Sequence, residues 1–297
     1  MLDIHRALNN DRLMRALTGL NRKAFDELLV AFAAALQAAK LAKPRQRAPG
    51  GGKKAQLSSD QEKLFYILFY FKCYPTCDVA GFLFDFDRSQ ANRWMHRLQA
   101  ILEAALGEKM TLPERKLETI EQFLVRYPEV KEVMIDGTER PIARPKDREK
   151  QKHTYSGKKK RNTRKHLGVV DETKRVIGLS KAREGKVHDK RLLDEETLVE
   201  GIPDEIPIQV DLGFQGLQNE FVNIEIPHKK PKGKELSDLQ KQQNQERSSR
   251  RVRCENAFAG VKRYRAVSEV YRNRVTDFDD RLMLTACGLW NFYLMVA

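Results

Sequence analysis

Two apolar runs in this chain end on a carboxylate. "VMID" stops on Asp136 and "IQVD" stops on Asp211, with Gly137 after the first and Leu212-Gly213 after the second. Apolar strands deliver such residues to the end of a sheet, where a cleft forms. Two neighbouring carboxylates are costly unless a cation neutralises them. Hard divalent metals take oxygen ligands and keep positions open for phosphate. Asp136 and Asp211 are therefore candidate ligands of a metal at a phosphate site. The competing reading is structural. Asp-Gly is a frequent turn dipeptide, and either Asp alone fits a strand end at which Gly137 turns the chain away sharply.

A third carboxylate lies in "RRVRCENAFAGVKRY". At about 100° per residue, Arg251, Glu255 and Lys262 share one narrow helix face, and Cys254, Ala257, Phe258 and Val261 form an apolar stripe beside it. The stripe is expected to pack on the sheet and hold Glu255 at the cleft. An exposed Arg251 to Glu255 pair at i,i+4 would use the same residues, and the face alone does not separate the two readings. Basic chain flanks the carboxylates. Arg144 to His166 holds eleven Lys/Arg against two acidic residues, and Lys229 to Arg253 holds nine against three. Such density fits phosphate contacts that add affinity without reading sequence. It includes Lys158, Lys159, Lys160 and Arg161.

The elements that must position these residues are expected as follows. "VKEVMIDG" is a strand. "HLGVVDE" and "RVIGLSKAREG" are two more, joined by a polar turn at Glu172 to Lys174. A helix follows near "HDKRLLDEETLVEG". "IPIQVDLGF" and "NIEIP" are the fourth and fifth strands, and a basic, Gln-rich segment at about 229–250 separates them from a long helix. Strands followed by interleaved helices imply an α/β (α+β) mixed sheet with flanking helices. Asp189 is read as the cap of its helix or as support for the site, with His188 beside it.

The N-terminal half is helical. Residues 16–40 read as a short helix and a longer one with Asn21 as N-cap. The Pro/Gly-rich, cationic stretch 43–56 reads as a linker. Ser59 and Glu62 form a capping box, and Pro75 stops the helix they open. A short helix over 76–84, a turn at "DFDRS" and a third helix complete the set. Ala91, Trp94, Met95, Leu98, Ile101 and Leu102 share one face of the last helix. Ser89, Gln90, Asn92, Arg93 and Arg97 stand among its outward polar residues. This arrangement fits a helix-turn-helix, whose last helix reads base edges; a plain helical bundle would show the same pattern. The expected division is thus 1–42, 43–56, 57–110 and 111–297.

The 297 residues suffice for one large core or two domains. The net charge of +14 favours a polyanion, in the usual case nucleic acid. Cys73 and Cys77, one turn apart on the expected helix, have no second pair to complete a zinc site, so all four cysteines are expected as free thiols. Asp3, His5 and Arg6 interrupt any signal-peptide pattern. The apolar C-terminal stretch "LMLTACGLWNFYLMVA" is too short to span a bilayer and reads as a core helix. The expected location is cytoplasmic, with no membrane partner.

Taken together, "GFLFDFDRSQANRWMHRL", "IDGTERPIARPKDREKQKHTYSGKKKRNT", "GKVHDKRLL", "VDLGFQGL" and "RVRCENAFAGVKRY" resemble the DDE transposases of bacterial insertion sequences, nearest to the insertion-sequence-five (IS5-like) group. The resemblance covers nearly the whole chain. It implies a ribonuclease-H-like catalytic domain behind a helix-turn-helix, with Asp136, Asp211 and Glu255 as the metal-binding triad. Arg251, Glu255 and Lys262 match the spacing of a related signature whose tyrosine position holds Ser248 here, and Asn162 stands where a His is expected. His188 and Asp189 belong to the family pattern. Implied cofactors are two Mg2+ or Mn2+ ions, with water and then a freed 3′-hydroxyl as nucleophiles. Implied partners are terminal inverted repeats and target DNA, in a homodimer or larger synaptic complex associated with the nucleoid. The rival reading is an inactive or domesticated copy that only binds DNA through the helix-turn-helix.

Overall fold

The computed structural model describes residues 2–42 and 55–296, so the linker reading at 43–56 falls almost wholly outside the described residues. Spatially the chain forms two units. One is Met1–Leu112 with Val261–Glu269 and Leu282–Ala297; the other is Pro113–Gly260 with Val270–Arg281.

The first unit begins with α1 (Ile4–Leu8), α2 (Asp11–Thr18) and α3 (Arg22–Leu41). Asn21 caps α3, its side chain accepting from the Ala24 N–H at 2.8 Å. Then come α4 (Asp60–Cys73), α5 (Cys77–Phe84) and α6 (Arg88–Glu108). The Ser59 hydroxyl accepts from the Glu62 N–H at 3.1 Å and the Glu62 carboxylate accepts from the Ser59 N–H at 2.9 Å, which completes the capping box. Every residue of α4 from Lys63 to Phe71 is buried. Each fully buried Leu or Phe contributes about 1.5–3 kcal/mol, so α4 is the hub of this unit. Tyr74, in the left-handed region, and Pro75 end it. Cys73 and Cys77 therefore flank a break between two helices rather than lying on one. Trp94 also departs from expectation. It is half-exposed, with the Arg97 guanidinium 5.4 Å over its ring, and takes no part in the buried face of α6.

The second unit contains α7 (Ile120–Arg126), β1 (Val133–Pro141), α8 (Arg148–Thr154), β2 (Tyr155–Ser156), β3 (Arg161–Asp171), β4 (Val176–Leu179), β5 (Arg183–Glu184), α9 (Asp189–Glu196), β6 (Ile208–Gln209), β7 (Ile224–Glu225) and most of α10 (Asp238–Lys262). After it, α11 (Arg265–Ser268) and most of α12 (Phe278–Val296) group with the helical unit. β1 and β3 are antiparallel, β4 and β5 pair with β3, β6 runs parallel to β1, and β7 runs parallel to β6. This is a mixed, ribonuclease-H-like sheet with flanking helices. Leu167 and Val169 of β3, Val133 and Ile135 of β1 and Leu192 and Leu193 of α9 share its core.

Two expectations are corrected here. β1 does not end at Asp136: Asp136 pairs with Gly168, Gly137 with Leu167, and the ladder continues to Pro141. Gly137 is thus no turn residue. The segment 229–250 is not wholly irregular either, since α10 starts at Asp238 and absorbs its second half. No helix among the described residues is long and apolar enough to cross a membrane.

Candidate active site

β1 carries Asp136 in mid-strand, and the parallel neighbour β6 leads directly to Asp211. Asp211 opens a single 3-10 turn, its Oδ1 accepting from the Gly213 N–H at 2.7 Å. The Oδ1 of Asp136 accepts from the Gly137 N–H, also at 2.7 Å. Each carboxylate is therefore oriented through one oxygen by backbone next to it.

α10 is seated over this point by its apolar stripe. Cys254, Ala257, Phe258 and Val261 are buried. A Cβ on Gly168 would lie 2.7 Å from the Phe258 ring. Only glycine fits opposite Asp136 in the ladder, because the helix comes that close. Arginines fix the rest of the helix. Arg253 pairs with Glu132, Arg250 lies 3.5 Å from Glu225, and Arg247 donates to the Ile226 carbonyl at 2.6 Å. Cations read in sequence as phosphate contacts thus include three that tie α10 to the sheet edge.

Arg251 does not pair with Glu255. Its guanidinium stands 3.9 Å from Asp136 Oδ2. Glu255 is exposed. Burial pushes the Cys254 thiol well up, and the charges of Asp136 and then Glu255 add to that rise. Both carboxylates therefore act on one buried sulfur. Burial also raises the Asp136 carboxyl above its ordinary range. The Gly137 N–H and Arg251 pull it down, Asp211 pushes it up again, and Lys158 pulls down more weakly. The net rise means that the negative charge on Asp136 is under-compensated. Hard oxygen donors with an unbalanced charge fit a divalent cation. Among the described residues no three His, Cys, Asp or Glu side chains gather closely enough to hold an ion as they stand.

A further carboxylate sits beside the pair. Asp189 is the first residue of α9, and the N-cap is His188, whose exposed side chain makes no cap bond. The capping reading of Asp189 is therefore wrong. Its Oδ1 meets Lys165 Nζ at 2.8 Å. A Cβ on Gly137 would lie 3.1 Å from that oxygen, which explains the glycine after Asp136. Lys165 also donates to the Val187 carbonyl at 2.8 Å and lies 3.8 Å from Glu139. Lys165 and Glu139 were not foreseen from sequence; a lone lysine inside an apolar strand was the available signal.

Ser89, Gln90, Asn92, Arg93 and Arg97 are exposed on α6, and Gln90 also accepts from the Asp87 N–H at 3.3 Å. Lys158, Lys159, Lys160 and Arg161 are exposed in the β2–β3 hairpin. Lys262 closes α10 and groups with the helical unit. Ser248 is exposed on α10, and Asn162 is buried, its amide donating to the Gln151 carbonyl and the Thr154 hydroxyl.

Comparisons with known proteins agree with this layout. The family profile described as DDE superfamily endonuclease matches residues 135–291, and the helix-turn-helix of DDE superfamily endonuclease matches residues 56–108. A curated relative from Microchaete diplosiphon, "Probable transposase for insertion sequence element IS702", is 28% identical over 285 residues, 95% of each chain. No solved structure matches. The strand-borne Asp136, the helix-turn-helix and the length of the profile match lead to one conclusion: this chain belongs to the DDE superfamily of endonucleases.

Proposed function

We propose that this DNA-cleaving enzyme is a transposase that binds the ends of its own element, cuts them and joins them to target DNA. The observation that carries the reading is the placement of Asp136 on β1 and of Asp211 just past the end of the adjacent parallel strand β6, within the stretch that matches a DDE endonuclease. The relative named as a probable transposase is similar along 95% of its length. The match to an endonuclease family over residues 135–291, Asp136 and Asp211 included, counts against the binding-only alternative.

Asp136, Asp211 and Glu255 are the residues assigned to hold Mg2+ or Mn2+, two ions per site. Bound ions of this kind supply charge stabilisation at phosphate oxygens and lower the pKa of water. The backbone bonds to one oxygen of Asp136 and of Asp211 leave the second oxygen of each for a ligand. Arg251, beside Asp136, offers a guanidinium to a phosphate. Lys165 holds Asp189 and supports the strand next to the pair. The exposed donors Ser89, Gln90, Asn92, Arg93 and Arg97 are assigned to contact DNA, as are Lys158 to Arg161 and Lys262. Joining two element ends calls for a homodimer or larger synaptic complex, acting in the cytoplasm on nucleoid DNA.

The test is a purified-protein assay on DNA bearing the element ends. Asp136→Ala is expected to abolish metal-dependent nicking and strand transfer while DNA binding survives. Cleavage retained by that variant overturns the assignment. Nicking without any joined product reduces the function to that of a nuclease.

A further inference from the structure

A cavity of about 790 Å³ in the sheet unit has Ile142 in its wall. Ile142 extends the β1–β3 ladder, donating its N–H to the Asn162 carbonyl at 3.0 Å. It is six residues past Asp136. At about 3.3 Å per residue it lies no more than about 20 Å from that carboxylate. Five cations line the cavity, Arg144, Lys152, Lys160, Arg161 and Lys186, together with Tyr155, which is 45% exposed. No carboxylate is in the lining. Lys152 pairs with Glu149 at 2.8 Å. Among the described residues the other four cations have no acidic partner.

The frame beneath them is built from neutral amides. Gln151 Oε1 accepts from Arg144 Nε at 3.0 Å and from Nη2 at 2.9 Å, and Gln151 Nε2 donates to the Pro145 carbonyl. The buried Asn162 amide donates to the Gln151 carbonyl at 3.0 Å. Arg144 is thus oriented without being neutralised. Lys160 holds the left-handed region with φ 54°, which side-chain-bearing residues rarely occupy.

Four unneutralised cations around an exposed aromatic ring offer contacts to both an anion and a flat apolar face. Duplex DNA supplies phosphates but keeps its bases stacked inside. An unpaired nucleotide supplies both, with the phosphate on the cations and the base against the ring. The geometry points to a binding site for an unpaired DNA nucleotide, its phosphate held by Arg144, Lys160, Arg161 and Lys186 and its base stacked on Tyr155. This rests on the proposed function, because cutting and joining strands is what frees bases near the carboxylates.

The test uses the full chain in EDTA with a fluorescein-labelled single-stranded oligonucleotide and the matching duplex, read by anisotropy. Tyr155→Ala is expected to weaken single-strand binding about tenfold and to leave duplex binding unchanged. Tyr155→Phe is expected to retain single-strand binding, which separates loss of the stack from loss of the fold. Lys160→Gly, which relieves the backbone, is expected to weaken single-strand binding and lower its salt slope. Equal loss on both probes with Tyr155→Ala, or no loss on either, overturns the site and leaves the cations to the duplex backbone. Cleavage by Asp136→Ala is read separately, so failure of the proposed function and failure of this site give different results.

Discussion

Asp136 and Asp280 are two half-buried carboxylates of the same unit with opposite fates. Asp280 Oδ2 meets Arg115 Nη2 at 2.6 Å, and its Oδ1 meets Arg115 Nη1 at 3.2 Å and His166 Nε2 at 3.3 Å and accepts from the Ala182 N–H at 2.9 Å. Burial pushes its carboxyl up, but the bond from His166, then Arg115 and the Ala182 N–H, outweighs that and holds it below the ordinary range. Asp136 has one backbone N–H, an arginine at 3.9 Å and a second carboxylate nearby, and there burial prevails. Burial is similar at the two places. What differs is whether the chain itself supplies the counter-charge. Where it does, the carboxylate is structural. Where it supplies only Arg251 at 3.9 Å, the carboxylate is the one proposed to take a metal.

The widest separation is in activity. Asp136→Asn is expected to lower cleavage by at least about 10³-fold, whereas Asp280→Asn, away from the reacting groups, acts through stability; equal losses in kcat at matched folded fraction would erase the comparison. Next, Asp280→Ala leaves Arg115 and the buried His166 without their acid. A loss of about 3–5 kcal/mol is expected in chemical denaturation; a loss under 1 kcal/mol would show that Asp280 was never well compensated.

Lys165→Met probes the boundary between the two kinds of site, because it strips the partner from Asp189 and from Glu139, whose side chain is only 5% exposed. A cost of about 3 kcal/mol is expected, together with weaker Mg2+ protection in a thermal melt. Unchanged protection would remove Lys165 from the support of the site.

The pH window follows from Asp280. Its folded value is depressed, so its contribution is full above the unfolded value of about 3.9 and is lost as pH falls through the folded value below it. Wild type is expected to lose stability over that acidic range and Asp280→Asn to lose less. Parallel curves would contradict the depressed value. The smallest effect has the opposite sign. Asp136→Asn removes an under-compensated charge, so metal-free protein is expected to gain about 0.5–2 kcal/mol, and added Mg2+ is expected to raise the melting temperature of wild type only. A destabilised variant would mean that Asp136 was already balanced.

Much of this was legible in the residues. The capping box of Ser59 and Glu62, the break at Pro75, the outward donors of α6 and the apolar stripe of α10 depend on neighbours within a few positions, where local geometry is fixed by residue type. The same holds for the apolar runs that lead into Asp136 and Asp211, although β1 continues past Asp136 to Pro141. The misreadings have one cause. A turn at Gly137 and, of the two roles open to Asp189, the cap are each the locally usual role. In the fold, Asp189 comes from α9 to lie against Gly137 and is held by Lys165 from β3.

The sequence alone therefore determined a helical first half, a mixed α/β second half and the excess of positive charge, and it singled out the three carboxylates proposed for the site. It did so because periodicity, capping and residue chemistry are local. Only the tertiary structure decided that Phe258 seats α10 on Gly168 opposite Asp136, that Arg251 turns to that carboxylate rather than to Glu255, and that Arg144, Tyr155 and Lys186 surround one cavity. Those outcomes depend on distances between segments far apart in the chain, which packing sets and local propensity does not encode.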